Sequence, residues 1–177
     1  LINEISNASL RLNQQVENLL NISRLESGHI QPRKDWCDIV ELIYEVVRKV
    51  EENNQKRMIR ISVSQNFPLC STDKGMLDQI IYNLLNNAAI HTEQGCTIEI
   101  SATCHVDLLQ FVIEDNGRGF TALDSKDIFD KFSRTKNPRT SGSGLGLSIV
   151  KGFTEALGGT VELNQSFKQG TQFVIAI

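Results

Sequence analysis

Residues 141–151 read Ser-Gly-Ser-Gly-Leu-Gly-Leu-Ser-Ile-Val-Lys, and no other run constrains the chain as tightly. Gly142, Gly144 and Gly146 alternate immediately ahead of a helical pattern. Without Cβ atoms, such a loop brings backbone N–H groups into contact with a ligand. The helix that follows offers unpaired N–H groups and the positive end of its dipole, which suits phosphate. Glycine-rich turns also close ordinary helix–strand connections, so the run alone leaves both readings open.

Two further runs bear on the choice. Asp115-Asn116-Gly117-Arg118-Gly119-Phe120 ends the apolar stretch 108–113. A carboxylate at a strand end accepts hydrogen bonds from a ligand's amino group while the glycines let the backbone bend past it. The same residue types also make plain turns. Upstream, Asn83-Leu84-Leu85-Asn86-Asn87-Ala88 lies inside a helical pattern over 76–91. Asn83 and Asn87 are four apart and project from one helix face, while Leu77, Ile80, Ile81, Leu84 and Leu85 form an apolar face. Helix interiors disfavour asparagine. Amide oxygens at this spacing suit Mg2+, which takes few protein ligands and keeps waters and phosphates; a solvated polar face is the other reading.

In order, NLLNNA (83–88), DNGRGF (115–120), IFDKFSR (128–134), SGSGLGLSIVK (141–151), GG (158–159) and GT (170–171) resemble the catalytic, ATP-binding domain of bacterial sensor histidine kinases. They correspond to its asparagine, first glycine, phenylalanine and second glycine boxes and a trailing glycine pair. The resemblance covers about residues 35–177. Lys34-Asp35-Trp36 and IFDKFSR are similar to the potassium-sensing Kdp-type branch.

The preceding segment, 1–27, carries Ile2, Ile5, Leu12, Val16, Leu19, Ile22 and Leu25 on a helical stripe. Gly28 stops it. Residues 18–28 resemble the end of the second dimerisation helix of these kinases; an amphipathic helix packed on its own domain is the alternative. The resemblance places the phosphoacceptor histidine on a helix that would precede Leu1, and none of His29, His91 or His105 lies in the acceptor motif.

Composition agrees with a globular enzyme domain. The 177 residues are 40% hydrophobic and 22% charged, enough for one substantial core, and a net charge of −3 gives no basic excess for nucleic acid. Cys37, Cys70, Cys96 and Cys104 include no C-x-x-C pair and no interleaved histidines, which argues for reduced, mostly buried thiols. No apolar run approaches the ~20 residues that span a bilayer. The resemblance implies a cytoplasmic domain of a protein at the inner membrane.

Periodicity predicts a helix over 1–27, a linker over 28–34, a strand near 35–37, and a helix over 39–54 capped by Asp38. A strand follows through Ile59, Ile61 and Val63, then a helix capped by Asp73 to about 90. Strands are expected at 98–100 and 109–114, a short helix at 124–131, a helix over 143–157 stopped by Gly158-Gly159, and strands near 160–165 and 171–177. Mixed elements of this kind give an α/β two-layer sandwich preceded by one long amphipathic helix. The resemblance implies the Bergerat ATP-binding fold for 35–177.

The resemblance also implies roles. Asp115 would accept the adenine amine, with Gly117 and Gly119 letting the backbone pass the base and Thr171 assisting. Asn87 would bind Mg2+, and Asn83 would lie near the phosphates or metal. Gly142, Gly144, Leu145 and Gly146 would hold the phosphates. Phe129 and Phe132 would anchor a lid over about 133–143 that carries Arg134, Lys136 and Arg139, with Asn87 and Arg134 serving catalysis. His91 would stack on adenine or pack structurally. Its partners would be ATP, the dimerisation helix with the acceptor histidine, a response regulator receiver domain and a second copy of the parent chain.

One departure is Ile90, at a position where the family usually has a phosphate-approaching lysine. It leaves room for a nucleotide-binding regulatory module without transferase activity. The related topoisomerase, chaperone and mismatch-repair ATPases use an acidic residue on the asparagine helix; here Asn83 occupies the helix body, with Asp78 nearer its start.

Overall fold

The computed structural model describes residues 2–28, 30–54, 57–93, 95–106, 108–120, 128–131 and 144–177. Helix α1 (Ile2–Glu26) comes first, then strand β1 (Asp35–Cys37), α2 (Ile39–Asn53), β2 (Ile59–Val63), β3 (Cys70–Thr72) and α3 (Lys74–His91). Strands β4 (Ile98–His105) and β5 (Leu108–Asp115) follow, then α4 (Gly146–Ala156), β6 (Thr160–Leu163) and β7 (Thr171–Ala176).

Five strands form a sheet in the order β2-β4-β5-β7-β6, with β2 and β4 parallel and the other pairs antiparallel. A separate two-stranded ribbon joins β1 to β3. Along β5, Leu109, Phe111, Ile113 and Asp115 alternate into the core. Its apolar residues join one core with the buried faces of α2, α3 and α4, so the expected two-layer sandwich is present.

Side chains set the helix boundaries. Asp38 Oδ1 accepts from Glu41 N (3.0 Å) to start α2, which buries Ile39, Leu42, Ile43, Val46, Val47 and Val50 at three- and four-residue intervals. Asp73 starts α3 with both carboxylate oxygens in use: Oδ1 accepts from Met76 N (3.0 Å) and Oδ2 from Arg33 N (2.7 Å). At the end of α4, Gly158 N bonds Glu155 O and Gly159 N bonds Thr154 O, a Schellman stop with Gly158 at φ +85.

Two expectations need correction, and one strand is added. Residues 128–131 turn rather than extend a helix, because Ile128 enters the core while Phe129 meets the edge of the Phe173 ring at 6.1 Å; the remaining expected residues, 124–127, lie outside the described ones. Helix α4 starts at Gly146 and not at 143, since Gly144 sits at φ +69, outside the right-handed helical region. Strand β3 is an addition, formed by antiparallel pairing of Cys70–Thr72 with β1.

The α1 stripe divides along its length. Ile22 is buried and Leu25 half-buried against the domain, whereas Leu12, Val16 and Leu19 are exposed, Leu19 by 62%. Leu25 rests where a side chain on Gly152 of α4 would stand, and Glu26 pairs with Lys131 (2.5 Å).

Candidate functional site

The site is built at the core-facing ends of β5 and β7, against α3 and the start of α4. Asp115 ends β5 opposite Thr171 in the β7 register. The antiparallel pairing puts both on the helix-facing side, and Asp115 is only 7% exposed. Its Oδ1 accepts from Gly117 N at 2.8 Å, the one hydrogen bond recorded on this carboxylate among the described residues. The next residue, Asn116, is pinned on both sides: its N bonds Thr97 O (3.2 Å) and its Oδ1 accepts from Thr97 N (2.7 Å).

Around this carboxylate the chain leaves no room for side chains. A Cβ on Gly117 would stand 2.9 Å from both Asp115 Oδ1 and Thr92 Cγ2. Gly119, at φ +68, would place one 2.5 Å from Gly170 O, and Gly170, at φ +146, would place one 1.9 Å from Asp115 O. These approaches are closer than any real Cβ contact, so only glycine satisfies them. Phe120 and Phe129 both meet Phe173 edge-on, at 6.2 and 6.1 Å, and wall the same corner.

Helix α3 supplies the opposing wall. Asn83 is 5% exposed; its Oδ1 lies 3.4 Å from where a Gly146 Cβ would be, and its Nδ2 is buried without a partner among the described residues. Asn87, one turn on, is half-buried. Asn86 faces elsewhere and serves the scaffold, since its Oδ1 accepts from Asn54 Nδ2 (3.0 Å) and so joins the end of α2 to α3. Thr92 terminates α3 with its N and Oγ1 both on Ala88 O, at 3.1 and 2.7 Å. The Arg57 guanidinium donates to the carbonyls of Thr92 and Glu93, neutralising the negative end of the helix.

His91 is exposed as a residue, yet desolvation of its imidazole, helped by Arg118, lowers its pKa from 6.5, with Asp115 opposing. The neutral imidazole is therefore the form favoured beside Asp115. Ile90 is 40% exposed and brings no charge to this rim.

The start of α4 completes the described part. Gly144 at φ +69 turns the chain, Leu145 is buried, and its carbonyl accepts from Ser148 Oγ (2.9 Å) and Ile149 N (3.0 Å). Among the described residues the N-cap position, Leu145, contributes no side-chain cap. A leucine thus stands where Asp38 and Asp73 provide a carboxylate cap for α2 and α3.

The fold brings together Asn83, Asn87, His91, Asp115, Gly117, Gly119, Phe129, Gly144, Leu145, Gly146 and Thr171. Phe132, Arg134, Lys136, Arg139 and Gly142, with the lid over 133–143, lie outside the described residues. Sequence reasoning gives no role to Thr92 or to the Gly170 of the GT motif, and does not single out Arg57. Thr92 follows the asparagine helix directly and Gly170 precedes Thr171, so position relative to the motifs was the available signal. Arg57 had none, since its target is a pair of carbonyls.

The family described as "Histidine kinase-, DNA gyrase B-, and HSP90-like ATPase" matches residues 72–177. The sensor protein KdpD of Clostridium acetobutylicum is 33% identical over 166 residues, spanning 92% of this chain and 18% of that protein. KdpD of Escherichia coli K12 is 30% identical over 159 residues, spanning 89% and 18%. The crystal structure of full-length ShkA in complex with AMPPNP superposes with a TM-score of 0.80 at 29% identity, covering 94% of this chain and 35% of that one. The chain thus spans about a fifth of the length of these curated relatives.

Proposed function

This chain belongs to the histidine kinase-, DNA gyrase B- and HSP90-like ATPase family, as a catalytic domain homologous to sensor histidine kinases, and from that premise we propose how it works. It holds Mg-ATP between α3 and the β5–β7 end and presents the γ-phosphoryl group to a histidine on a separate dimerisation helix. Relay to a response regulator receiver domain, within a homodimeric parent protein at the inner membrane, completes the proposed pathway. The linker over 28–34 would divide the dimerisation helix from the catalytic domain.

The observation that carries this reading is the buried carboxylate of Asp115, with a single hydrogen bond among the described residues, framed by Gly117, Gly119 and Gly170, where no side chain fits. Asp115 would accept the exocyclic amine of adenine, Thr171 standing opposite, and would repel the carbonyl that guanine carries there. Thr92 and His91 border the same space. At the other end lies the buried Asn83 Nδ2, a donor with no partner among the described residues. Beside it, Gly144 and Leu145 lead into α4 at Gly146 with no side-chain cap from Leu145, and together with the Asn83 donor these backbone groups fit a phosphate chain. Gly142, Phe132, Arg134 and Lys136 are assigned to the phosphates and their cover by sequence resemblance.

Mg2+ when bound neutralises the triphosphate's charge. Among the described residues no group of three or more His, Cys, Asp or Glu forms a metal cage. The Asn87 amide oxygen alone fits Mg2+, an ion that keeps waters and phosphate oxygens as its other ligands. Phosphoryl transfer asks mainly for positioning and charge neutralisation, so the chain's own residues orient and shield and none needs to be a nucleophile.

Calorimetric titration with ATP and GTP tests the reading. The wild-type chain should prefer ATP, and Asp115→Asn should weaken ATP by roughly ten- to a hundredfold while blunting that preference. Equal affinity of the wild type for both nucleotides would sink it.

A further inference from the structure

Away from this site, the fold gathers thiols that the sequence scatters. Cys70 on β3 and Cys104 near the end of β4 lie with their Sγ atoms 3.8 Å apart, although 34 positions separate them. Both are half-buried against the core. The residues after Cys104, His105 and Val106, are exposed, so the pair sits at a rim that a small oxidant reaches. Cys37 on β1 is the Cα partner of Cys70 but is buried, its Sγ aimed at Asp38 O.

We propose that Cys70 and Cys104 are an oxidisable dithiol that closes reversibly to a disulfide between the β1–β3 ribbon and the main sheet. A disulfide needs its sulfurs about 2.05 Å apart. Closing the remaining gap takes side-chain rotation and a small shift of a ribbon only three residues long on each strand. Burial and the contact with Cys104 push the Cys70 thiol up to about 11, which makes it a poor first nucleophile, and the Pro68 carbonyl stands 3.5 Å from its sulfur as a further acceptor for its proton. The first attack on an oxidant therefore falls to Cys104.

With a peroxide as oxidant, the Cys104 thiolate attacks one peroxide oxygen and the O–O bond breaks, giving a sulfenic acid and, after protonation, one water. The Cys70 sulfur then attacks the sulfenic sulfur and loses its proton. The S–O bond breaks, and the departing hydroxide takes that proton as a second water. Two thiols lose two electrons, which reduce one peroxide. The closed loop contains all of α3, including Asn83 and Asn87, and begins three residues before the Asp73 cap.

The test uses the full chain carrying Cys96→Ser, treated with hydrogen peroxide, digested with trypsin and mapped by mass spectrometry. A linkage between the peptides 61–74 and 75–118, lighter by two hydrogens and reversed by dithiothreitol, is expected, because after this substitution each holds a single cysteine. Undigested protein should melt about 5–10 °C higher when oxidised, the unfolded chain having lost loop entropy. A linkage of 35–48 to 61–74, which reports Cys37–Cys70, overturns the proposal. So do two free thiols at saturating peroxide, or a sulfinic acid on Cys104 beside a free Cys70.

Discussion

At the end of β5, Gly119 and Gly170 stack against neighbouring backbone so closely that a Cβ would stand 2.5 and 1.9 Å from carbonyl oxygens. At the start of α4, a Cβ on Gly146 would stand 3.4 Å from Asn83 Oδ1, close to ordinary contact distance. The first arrangement is complete without any ligand: every close approach is protein on protein. The second leaves, among the described residues, a buried amide donor without a partner beside a helix whose N-cap is a leucine. Glycines that look alike in sequence thus answer different demands. One set is required by packing around the carboxylate, and the other leaves space for something outside the chain.

The sharpest way to break this contrast is a single methyl group. Gly170→Ala should cost about 3 kcal/mol or more of folding stability, because both its φ of +146 and the Asp115 carbonyl oppose a Cβ. Urea unfolding measures it. A cost under about 1 kcal/mol would mean that the β5–β7 end is far softer than its contacts imply.

Asn83→Ala separates folding from binding. Deleting a buried amide whose Nδ2 has no partner among the described residues removes a desolvation penalty while leaving a small cavity, so stability should move by no more than about 1 kcal/mol. ATP affinity should nonetheless fall about tenfold, as for one hydrogen bond to a charged partner. Thermal melts and titration on the same sample decide; unchanged affinity would return Asn83 to a packing role.

Gly146→Ala, by contrast with Gly170→Ala, should leave stability within about 0.5 kcal/mol, its Cβ meeting only the Asn83 amide and alanine being the better helix former. A loss like that at Gly170 would erase the distinction between the two ends.

The smallest effect concerns pH. The folded pKa of His91 lies below its unfolded 6.5, so below 6.5 the unfolded state binds more protons. Stability therefore declines as pH falls through 6.5 and levels off below the folded pKa, while above 6.5 the contribution is fully present. His91→Gln should flatten that decline in melts taken between about pH 5 and 8, and an unaltered slope would remove His91 as its source.

Legibility in the sequence followed the physics of range. Helices α2 and α3 were readable because local signals agree: a capping aspartate, then apolar residues at three- and four-residue intervals. Asp115, Gly117 and Gly119 were readable because a carboxylate and two glycines in six residues is a local pattern. What escaped depends on distant chain. Strand β3 is a strand only because β1 lies beside it, and residues 128–131 turn because Phe173, more than forty positions on, takes the Phe129 ring edge-on. The clash that forces glycine at 170 is with Asp115, and the Cys70–Cys104 encounter crosses 34 positions. No window of sequence contains both halves of such contacts.

Helix α3 is held at both ends by groups from outside it. At its start Asp73 grips Arg33 N, just ahead of β1, as well as the helix's own first turn, and at its finish Arg57, just ahead of β2, grips the carbonyls of Thr92 and Glu93. A rod pinned at one end still rolls about its long axis; a rod pinned at both does not. Since each residue advances around a helix by about 100°, a roll of that size would carry Asn83 and Asn87 off the site and Leu84 onto it. The two pins fix the azimuth of the asparagines, a torsional constraint supplied by residues that never face the cleft.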